Sequence, residues 1–281
     1  MTPSEPRARM LAALDDCGAS DDRVALRVAT LRAMLDVGSA PRVAAVGRRG
    51  AGKSALLNAL ADGDVAITGD VADATLDARV YTPKGLLWLD TPGLRAGGRA
   101  GRLDHVARAV QSFAPTHVAF LVSATEVDAA IDADLDDLAA VLDGCARRPS
   151  VVGVVTRVDE LEPPDVCEAP FDDPDKRAHI ASATRTLHRH MLRRELRPWR
   201  VLPVCALAAW NDGSLTHDTR WNLPTLRRAF ATPSLDATRE LDALVRGLCE
   251  ALIQSAADDA TRRVPLIATD LAFVPASGIG S

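Results

Sequence analysis

Three short motifs, each at the end of an apolar run, carry residues that can bind a nucleotide. The first, Gly47-Arg48-Arg49-Gly50-Ala51-Gly52-Lys53-Ser54, follows the apolar run 43–46 and precedes an amphipathic stretch over 54–61. Glycines let successive backbone N–H groups point at one anion, and a helix start adds positive partial charge. The motif, with Ala55 in the first helical turn, therefore predicts a phosphate-binding loop. Lys53 would contact the β- and γ-phosphates, and Ser54 would bind Mg²⁺.

The second motif, Asp90-Thr91-Pro92-Gly93, follows the apolar residues 86–89. A carboxylate at a strand end beside the phosphate loop can hold a water molecule bound to Mg²⁺. A glycine three residues later can offer its backbone N–H to a γ-phosphate. We therefore expect Asp90 and Gly93 to complete the phosphate and metal site.

The third motif, Thr156-Arg157-Val158-Asp159, closes the apolar residues 151–155. A carboxylate at Asp159 can accept hydrogen bonds from the N1–H and 2-amino groups of guanine, whereas adenine lacks both donors in that arrangement. The next strand ends in Cys205-Ala206-Leu207, where a backbone N–H can meet the guanine O6. The pattern predicts a guanine site, and the final tripeptide is its weakest part.

Strands and helices alternate through the middle of the chain. Apolar runs predict strands at 43–46, 78–81, 86–89, 117–122, 151–156 and 200–204, and helical periodicity predicts helices at 54–61, 103–113, 129–142 and 176–196. This alternation predicts an α/β fold with three layers and a mainly parallel central sheet. We divide the chain into an N-terminal helical segment (1–40), a nucleotide-binding domain (41–231) and a C-terminal helical segment with an apolar tail (232–281).

Composition narrows the range of partners. The chain has 281 residues, a formal net charge of -5 and five widely spaced cysteines. An acidic balance disfavours nucleic acid as a partner, and cysteines without ligand or disulfide spacing favour a reducing cytoplasm. The apolar tail 264–281 has two open interpretations: it packs on the core, or it contacts a membrane or a protein partner.

Taken in order over 42–207, these motifs resemble those of translation-factor-class GTPases, in the Era-like and dynamin-like branch. The resemblance implies GTP and GDP as ligands, with Mg²⁺ held through Ser54, Asp90 and a switch threonine. Thr75 fits the Thr-x-Asp of Era-like members, and Thr68 is its competitor. The chain departs from the family at Arg157, where a lysine is usual, and at Cys205 and Leu207, which replace a serine and a lysine.

The catalytic apparatus is the least complete part of the resemblance. Leu94 follows Gly93 where Ras-like members place a glutamine, and Gly50 stands where potassium-activated members place an asparagine. Lys53 and Thr75 are the expected catalytic residues, together with Arg48 and Arg49 as arginine fingers in cis or across a nucleotide-dependent dimer.

The resemblance thus implies a GTP-hydrolysing switch, slow alone and faster on self-association or with a partner, in the cytoplasm or peripherally at a membrane. A nucleotide-gated binding module with little hydrolysis and a P-loop ATPase are the alternatives. Among the remaining residues, the tryptophans are expected to be core or loop anchors (Trp199, Trp210 and Trp221).

Overall fold

The computed structural model describes residues 14, 22–37, 40–61, 63–66, 78–94, 102–127, 131–146, 148–163, 172–206, 222–231 and 245–253. In chain order the elements are α1 (Asp22–Val37), β1 (Arg42–Gly47), α2 (Lys53–Ala61), β2 (Arg79–Tyr81), β3 (Leu87–Asp90), α3 (Arg102–Phe113), β4 (His117–Ser123), α4 (Ile131–Asp143), β5 (Ser150–Thr156), α5 (Pro174–Arg193), β6 (Arg200–Pro203) and α6 (Leu223–Phe230). Short 3₁₀ turns span Ala124–Glu126 and Val158–Glu160, and residues 245–253 are helical.

The strands form one sheet in the order β2-β3-β1-β4-β5-β6. Only β2 and β3 pair antiparallel; the other neighbours are parallel. Every residue of β1, β3 and β4 is buried, whereas the edge strands β2 and β6 are partly exposed. Continuous burial on both faces is typical of parallel strands covered by helices. The expected three-layer α/β fold with a mainly parallel sheet is confirmed.

The sheet places the motifs together. β1 ends at Gly47, β3 at Asp90 and β5 at Thr156, and these strands run parallel within the sheet. Their carboxyl ends therefore lie along one edge, where open α/β sheets bind ligands.

Contacts divide the chain into two compact units. Residues Ala40–Pro233 form one unit, and Met1–Ser39 together with Ser234–Ser281 form the other. In this second unit the side chain of Arg27 packs against Gly247, and burial lowers the pKa of the arginine. The two terminal segments thus pack with each other. The boundaries 1–40, 41–231 and 232–281 stay a prediction.

Two local features depart from the expectations from sequence. Helix α5 ends at Arg193 instead of 196, because Glu195 and Arg197 adopt left-handed backbone angles (φ 57° and 44°) that a helix cannot continue. Trp199, expected to be a core or loop anchor, is 62% exposed with the guanidinium of Arg200 over its ring, so the core alternative is wrong. Trp210 and Trp221 lie outside the described residues.

A polar cluster joins helices α4 and α5. His190 Nδ1 lies 2.7 Å from Asp132 Oδ1, and Arg194 bridges Asp132 and Asp136. The hydrogen bond with His190 lowers the pKa of Asp132. These contacts link the two helices that follow β4 and β5 in the chain.

Candidate functional site

The phosphate-binding motif forms a tight loop between β1 and α2. Gly50 and Gly52 have φ angles of +81° and +82°, which non-glycine residues rarely adopt. Lys53 opens α2, and Ser54 and Ala55 follow in its first turn. The loop therefore has the conformation in which backbone N–H groups can cradle an anion at a helix start.

Lys53 turns back over this loop. Its side chain is 7% exposed, and Nζ donates to the carbonyl oxygens of Gly47 (3.0 Å) and Arg48 (2.9 Å). An ammonium group held at the loop by backbone carbonyls is available to phosphate oxygens, which are stronger acceptors because they carry charge.

Ser54 and Asp90 meet beside the loop. The Ser54 hydroxyl donates to Asp90 Oδ2 at 2.9 Å, and Asp90 is 1% exposed at the end of β3. Mg²⁺ prefers oxygen ligands and is usually held in nucleotide sites by one or two protein groups, water and phosphate. The oxygen atoms of Ser54 and Asp90 therefore suit Mg²⁺. Ser54 would be a direct ligand, and Asp90 would hold the ion through a water molecule.

The residues after Asp90 pack on the phosphate loop. A Cβ at Gly93 would lie 2.5 Å from the backbone nitrogen of Arg49, so only glycine fits there. The next residue, Leu94, donates its N–H to the Gly47 carbonyl (3.0 Å), and its side chain is 2% exposed. A buried leucine thus occupies the place where Ras-like relatives carry a water-positioning glutamine.

The two arginines of the loop differ in environment. Arg48 forms an ion pair with Asp134 of α4 (Nε to Oδ2, 2.5 Å), and Asp134 is 4% exposed. Arg49 is exposed. The side chain of Arg48 is therefore directed to α4, whereas that of Arg49 is accessible to solvent.

Thr156 connects the end of β5 with the phosphate loop. It is 1% exposed, and its hydroxyl lies 2.9 Å from the carbonyl of Ala51 and 3.1 Å from that of Val122. From the sequence Thr156 was expected to contact the nucleotide. In the structure its hydroxyl contacts the backbone of the phosphate loop. Arg157, next in the chain, has a left-handed φ of 55° and pairs with Glu160 (2.5 Å).

Asp159 lies in the 3₁₀ turn after β5 and is held from two sides. The buried thiol of Cys205 donates to Asp159 Oδ1 at 3.2 Å, which brings two separately predicted base-site residues together. Lys176 of α5 donates to the Asp159 backbone carbonyl at 2.6 Å. Ala206 follows Cys205 and is 8% exposed.

Some expected site residues lie outside the described residues: Thr75, its competitor Thr68, and Leu207. Two contacts at the site were not predicted from the sequence. One is the hydrogen bond from Lys176 to the Asp159 carbonyl, and the other is the ion pair of Arg48 with Asp134. For Lys176 a local signal exists. Asp173-Pro174 is a helix start, and a lysine in the first turn opposes the helix dipole, which suggests a specific partner.

Residues 42–157 match the family model described as 50S ribosome-binding GTPase. This match supports a P-loop GTPase domain of the translation-factor class. The matched segment begins with β1, includes the phosphate loop and Asp90, and ends before Asp159. No curated protein matches the sequence significantly.

Solved GTPase structures have a similar fold. Toc33 from Arabidopsis thaliana is 14% identical, with 73% of this chain and 90% of Toc33 covered and a TM-score of 0.51. Era from Aquifex aeolicus is 20% identical (75% and 67% covered, TM-score 0.44). A GTP-binding protein from the archaeon Sulfolobus solfataricus, in complex with GDP, is 11% identical (75% and 66% covered, TM-score 0.45). The chain thus spans just under two thirds of the Sulfolobus protein.

The described part of the chain has neither a membrane-spanning helix nor a cluster of metal-binding side chains. No described helix is both long and apolar enough to span a membrane. Within the same residues, histidine, cysteine, aspartate and glutamate side chains form no group of three or more suited to a metal ion. Ser54 and Asp90 would form a different kind of metal site, in which nucleotide and water would supply the other ligands.

Proposed function

We propose that this GTPase domain binds Mg²⁺-GTP and hydrolyses it to GDP. The observation that carries the proposal is the hydrogen bond of 2.9 Å between Ser54 and Asp90, beside a glycine loop that already holds Lys53. Ser54 and Asp90 would hold a Mg²⁺ ion at this place, Ser54 through its hydroxyl and Asp90 through its carboxylate. The ion would supply positive charge to the phosphate oxygens of the nucleotide.

Guanine is the base that the proposal assigns. Asp159 lies in the turn after β5, and the Cys205 thiol and Lys176 hold its side chain and backbone. A carboxylate fixed in this way can accept from the N1–H and the 2-amino group of guanine, whereas adenine would leave its charge without donors. A carboxylate at Asp159 therefore disfavours the ATPase alternative, which rests on Arg157 and on the poor match at Cys205 and Leu207.

Hydrolysis needs a group that stabilises the transition state, and Arg49 is the candidate that its exposure at the phosphate loop favours. Its neighbour Arg48 is occupied by Asp134, and Leu94 is buried against the loop. An exposed arginine at the phosphate loop can act in cis, or on the nucleotide of a second copy of this chain. We therefore propose slow hydrolysis by the monomer and faster hydrolysis on self-association.

Nucleotide state would be coupled to a partner through the segments that touch the γ-phosphate. In the proposal these are the segment of Thr75, acting through the bound Mg²⁺, and the loop of Gly93, which packs on Arg49. Loss of the γ-phosphate would release both and change the surface offered to a protein or membrane partner. The family description names the ribosome, but the net charge of -5 gives little attraction for RNA.

The test measures GTP and GDP affinity in magnesium and in EDTA for the unaltered protein and for Ser54→Ala. Magnesium should tighten GTP binding by the unaltered protein, and this gain should largely disappear in Ser54→Ala because the metal loses a direct ligand. Ser112→Ala, a buried serine of α3, is the matched control and should keep the gain. Equal gains in Ser54→Ala and in the unaltered protein would refute the assigned metal site.

Leu94 is buried and has no polar group that could position the attacking water. This favours the alternative of a nucleotide-gated module with little hydrolysis. Single-turnover phosphate release at rising protein concentration separates it from the main proposal. A rate that increases with concentration supports catalysis across a dimer. Tight GTP binding with no release at any concentration supports the module.

A further inference from the structure

Lys176 is a fully buried lysine in the GTPase domain. It lies in the first turn of α5, after the N-cap Asp173, whose side chain accepts the backbone N–H of Lys176 at 2.8 Å. Its Nζ donates to the carbonyl of Asp159 at 2.6 Å and to that of Pro163 at 3.0 Å. The side chain therefore connects the helix start with both ends of the segment Asp159–Pro163.

This position is unfavourable for a cation. Burial removes water from an ammonium group, and the N-terminal end of a helix carries positive partial charge. Both costs are offset by acceptors that the group reaches, which in the described part of the chain are two backbone carbonyls of one segment. By donating to these two carbonyls, Lys176 fixes the conformation of the segment Asp159–Pro163.

The segment needs such support because its backbone is irregular. It begins after Arg157, which has a left-handed φ of 55°, and continues through a single 3₁₀ turn, Val158–Glu160. The Asp159 carboxylate contacts the thiol of Cys205, which is a weak donor. The strong anchor of the residue is therefore on its backbone, where the charged Nζ of Lys176 donates at 2.6 Å.

We propose that Lys176 is a positioning residue for guanine recognition. By fixing the backbone carbonyl of Asp159, it holds the carboxylate of the same residue at the place where both guanine donors can reach it. Recognition through two hydrogen bonds tolerates displacements of only about 0.5 Å. This inference rests on the proposed function, because it assigns a role toward the base that Asp159 is proposed to bind.

The test compares GDP with inosine diphosphate, which lacks the 2-amino group. Calorimetry on the unaltered protein gives the affinity for GDP divided by the affinity for inosine diphosphate. In Lys176→Met this ratio should fall by about tenfold, because Asp159 no longer contacts the 2-amino group in the right geometry. Affinity for inosine diphosphate, which keeps the N1–H, should fall less, because it can lose only one of the two contacts with Asp159.

Arg42→Met is the matched control. Arg42 is 5% exposed and donates through Nε to the Ala114 carbonyl at 2.9 Å, and it lies at the start of β1, away from the motif edge of the sheet. Loss of this buried cation should lower stability without changing the GDP to inosine diphosphate ratio. If Lys176→Met does not fold, Asp173→Ala removes the cap that fixes Lys176 and should lower the ratio in the same direction by less.

The outcomes separate the two proposals. An unchanged ratio in a folded Lys176→Met protein, or in Asp173→Ala where that variant is needed, would overturn the positioning role while guanine binding stands. An equal fall in Arg42→Met would also overturn it, because the effect would then be general. If the unaltered protein binds neither nucleotide, the proposed function itself fails, and the role of Lys176 fails with it.

Discussion

The hydroxyl of Thr156, at the end of β5, lies 2.9 Å from the carbonyl oxygen of Ala51 in the phosphate loop. These residues are 105 positions apart in the sequence. The strand that leads to the turn of Asp159 is thereby bound directly to the loop that would hold the phosphates. In the proposed function, this contact sets the spacing between the phosphate part and the base part of the nucleotide site.

Replacing Thr156 by valine should weaken nucleotide binding. Valine has nearly the same shape but no hydroxyl, so the carbonyl of Ala51 loses a buried donor. We expect GDP affinity to fall by about tenfold in Thr156→Val and to be largely kept in Thr156→Ser, measured by calorimetry.

Thr184→Val is the control for this change. The hydroxyl of Thr184 donates to Ile180 within helix α5, which is a contact inside one helix and not across the site. Its affinity for GDP should match that of the unaltered protein. Equal affinities in Thr156→Val and Thr184→Val would show that the contact with Ala51 does not maintain the site.

The two loop arginines should differ in their effect on hydrolysis. In Arg49→Ala, single-turnover GTP hydrolysis should fall by about 100-fold with little change in GTP affinity, since a finger acts on the transition state. In Arg48→Ala, loss of the ion pair with Asp134 should lower the free energy of unfolding by about 2 kcal/mol. This value lies between those typical of exposed and of buried ion pairs, because Arg48 is partly exposed and Asp134 is buried.

Single-turnover phosphate release with protein in saturating excess over GTP measures the first effect, and urea unfolding measures the second. Mixing Arg49→Ala with a Lys53→Ala protein, which keeps Arg49, distinguishes an arginine acting in trans from one acting in cis. Restored hydrolysis in the mixture indicates action across a dimer. Unchanged hydrolysis in Arg49→Ala alone would rule out this arginine as the catalytic group.

His117 should make stability sensitive to mild acid. It is 1% exposed beside Phe230, and burial lowers its pKa from 6.5 to about 4. Below pH 6.5 His117 is therefore protonated in the unfolded chain, whereas in the folded chain it stays neutral until about pH 4. Stability should fall as pH decreases through this window, and by about 2 kcal/mol for this residue between about pH 7 and about pH 5.

Urea unfolding at both pH values of the unaltered protein and of His117→Gln measures this contribution. His117→Gln should be less stable at neutral pH but should lose less on acidification. His188→Gln changes an exposed histidine of α5 and should behave like the unaltered protein. The same acid loss in all three proteins would exclude His117 as its source.

Much of the fold could be predicted because its signals are local. Apolar runs bounded by glycine, proline or polar residues predicted the strands, and β4 begins at His117 as expected. The motif residues follow the same logic, since each lies where a buried strand ends. The early end of α5 was not predicted, because positive φ at Glu195 and Arg197 leaves no mark in the apolar periodicity.

The contacts that hold the site together were less accessible from sequence. The pairs Thr156 with Ala51 and Arg48 with Asp134 join residues that are distant in the chain, and no periodic pattern links them. For Lys176 the sequence offers only its place in the first turn of a helix rich in basic residues, and its burial and its partners appear only in the structure. Burial and long-range pairing are results of tertiary packing, which the motifs alone do not contain.

The central claim is that one loop binds a triphosphate while Asp159 selects guanine. Titration calorimetry with GTP and with xanthosine triphosphate, in magnesium, tests it on the unaltered protein, Lys53→Ala and Asp159→Asn. We expect GTP to bind the unaltered protein, Lys53→Ala to bind neither nucleotide, and Asp159→Asn to prefer xanthosine triphosphate, whose 2-oxo group accepts from the asparagine amide. No heat with GTP, or an unchanged preference for GTP in Asp159→Asn, would contradict the account.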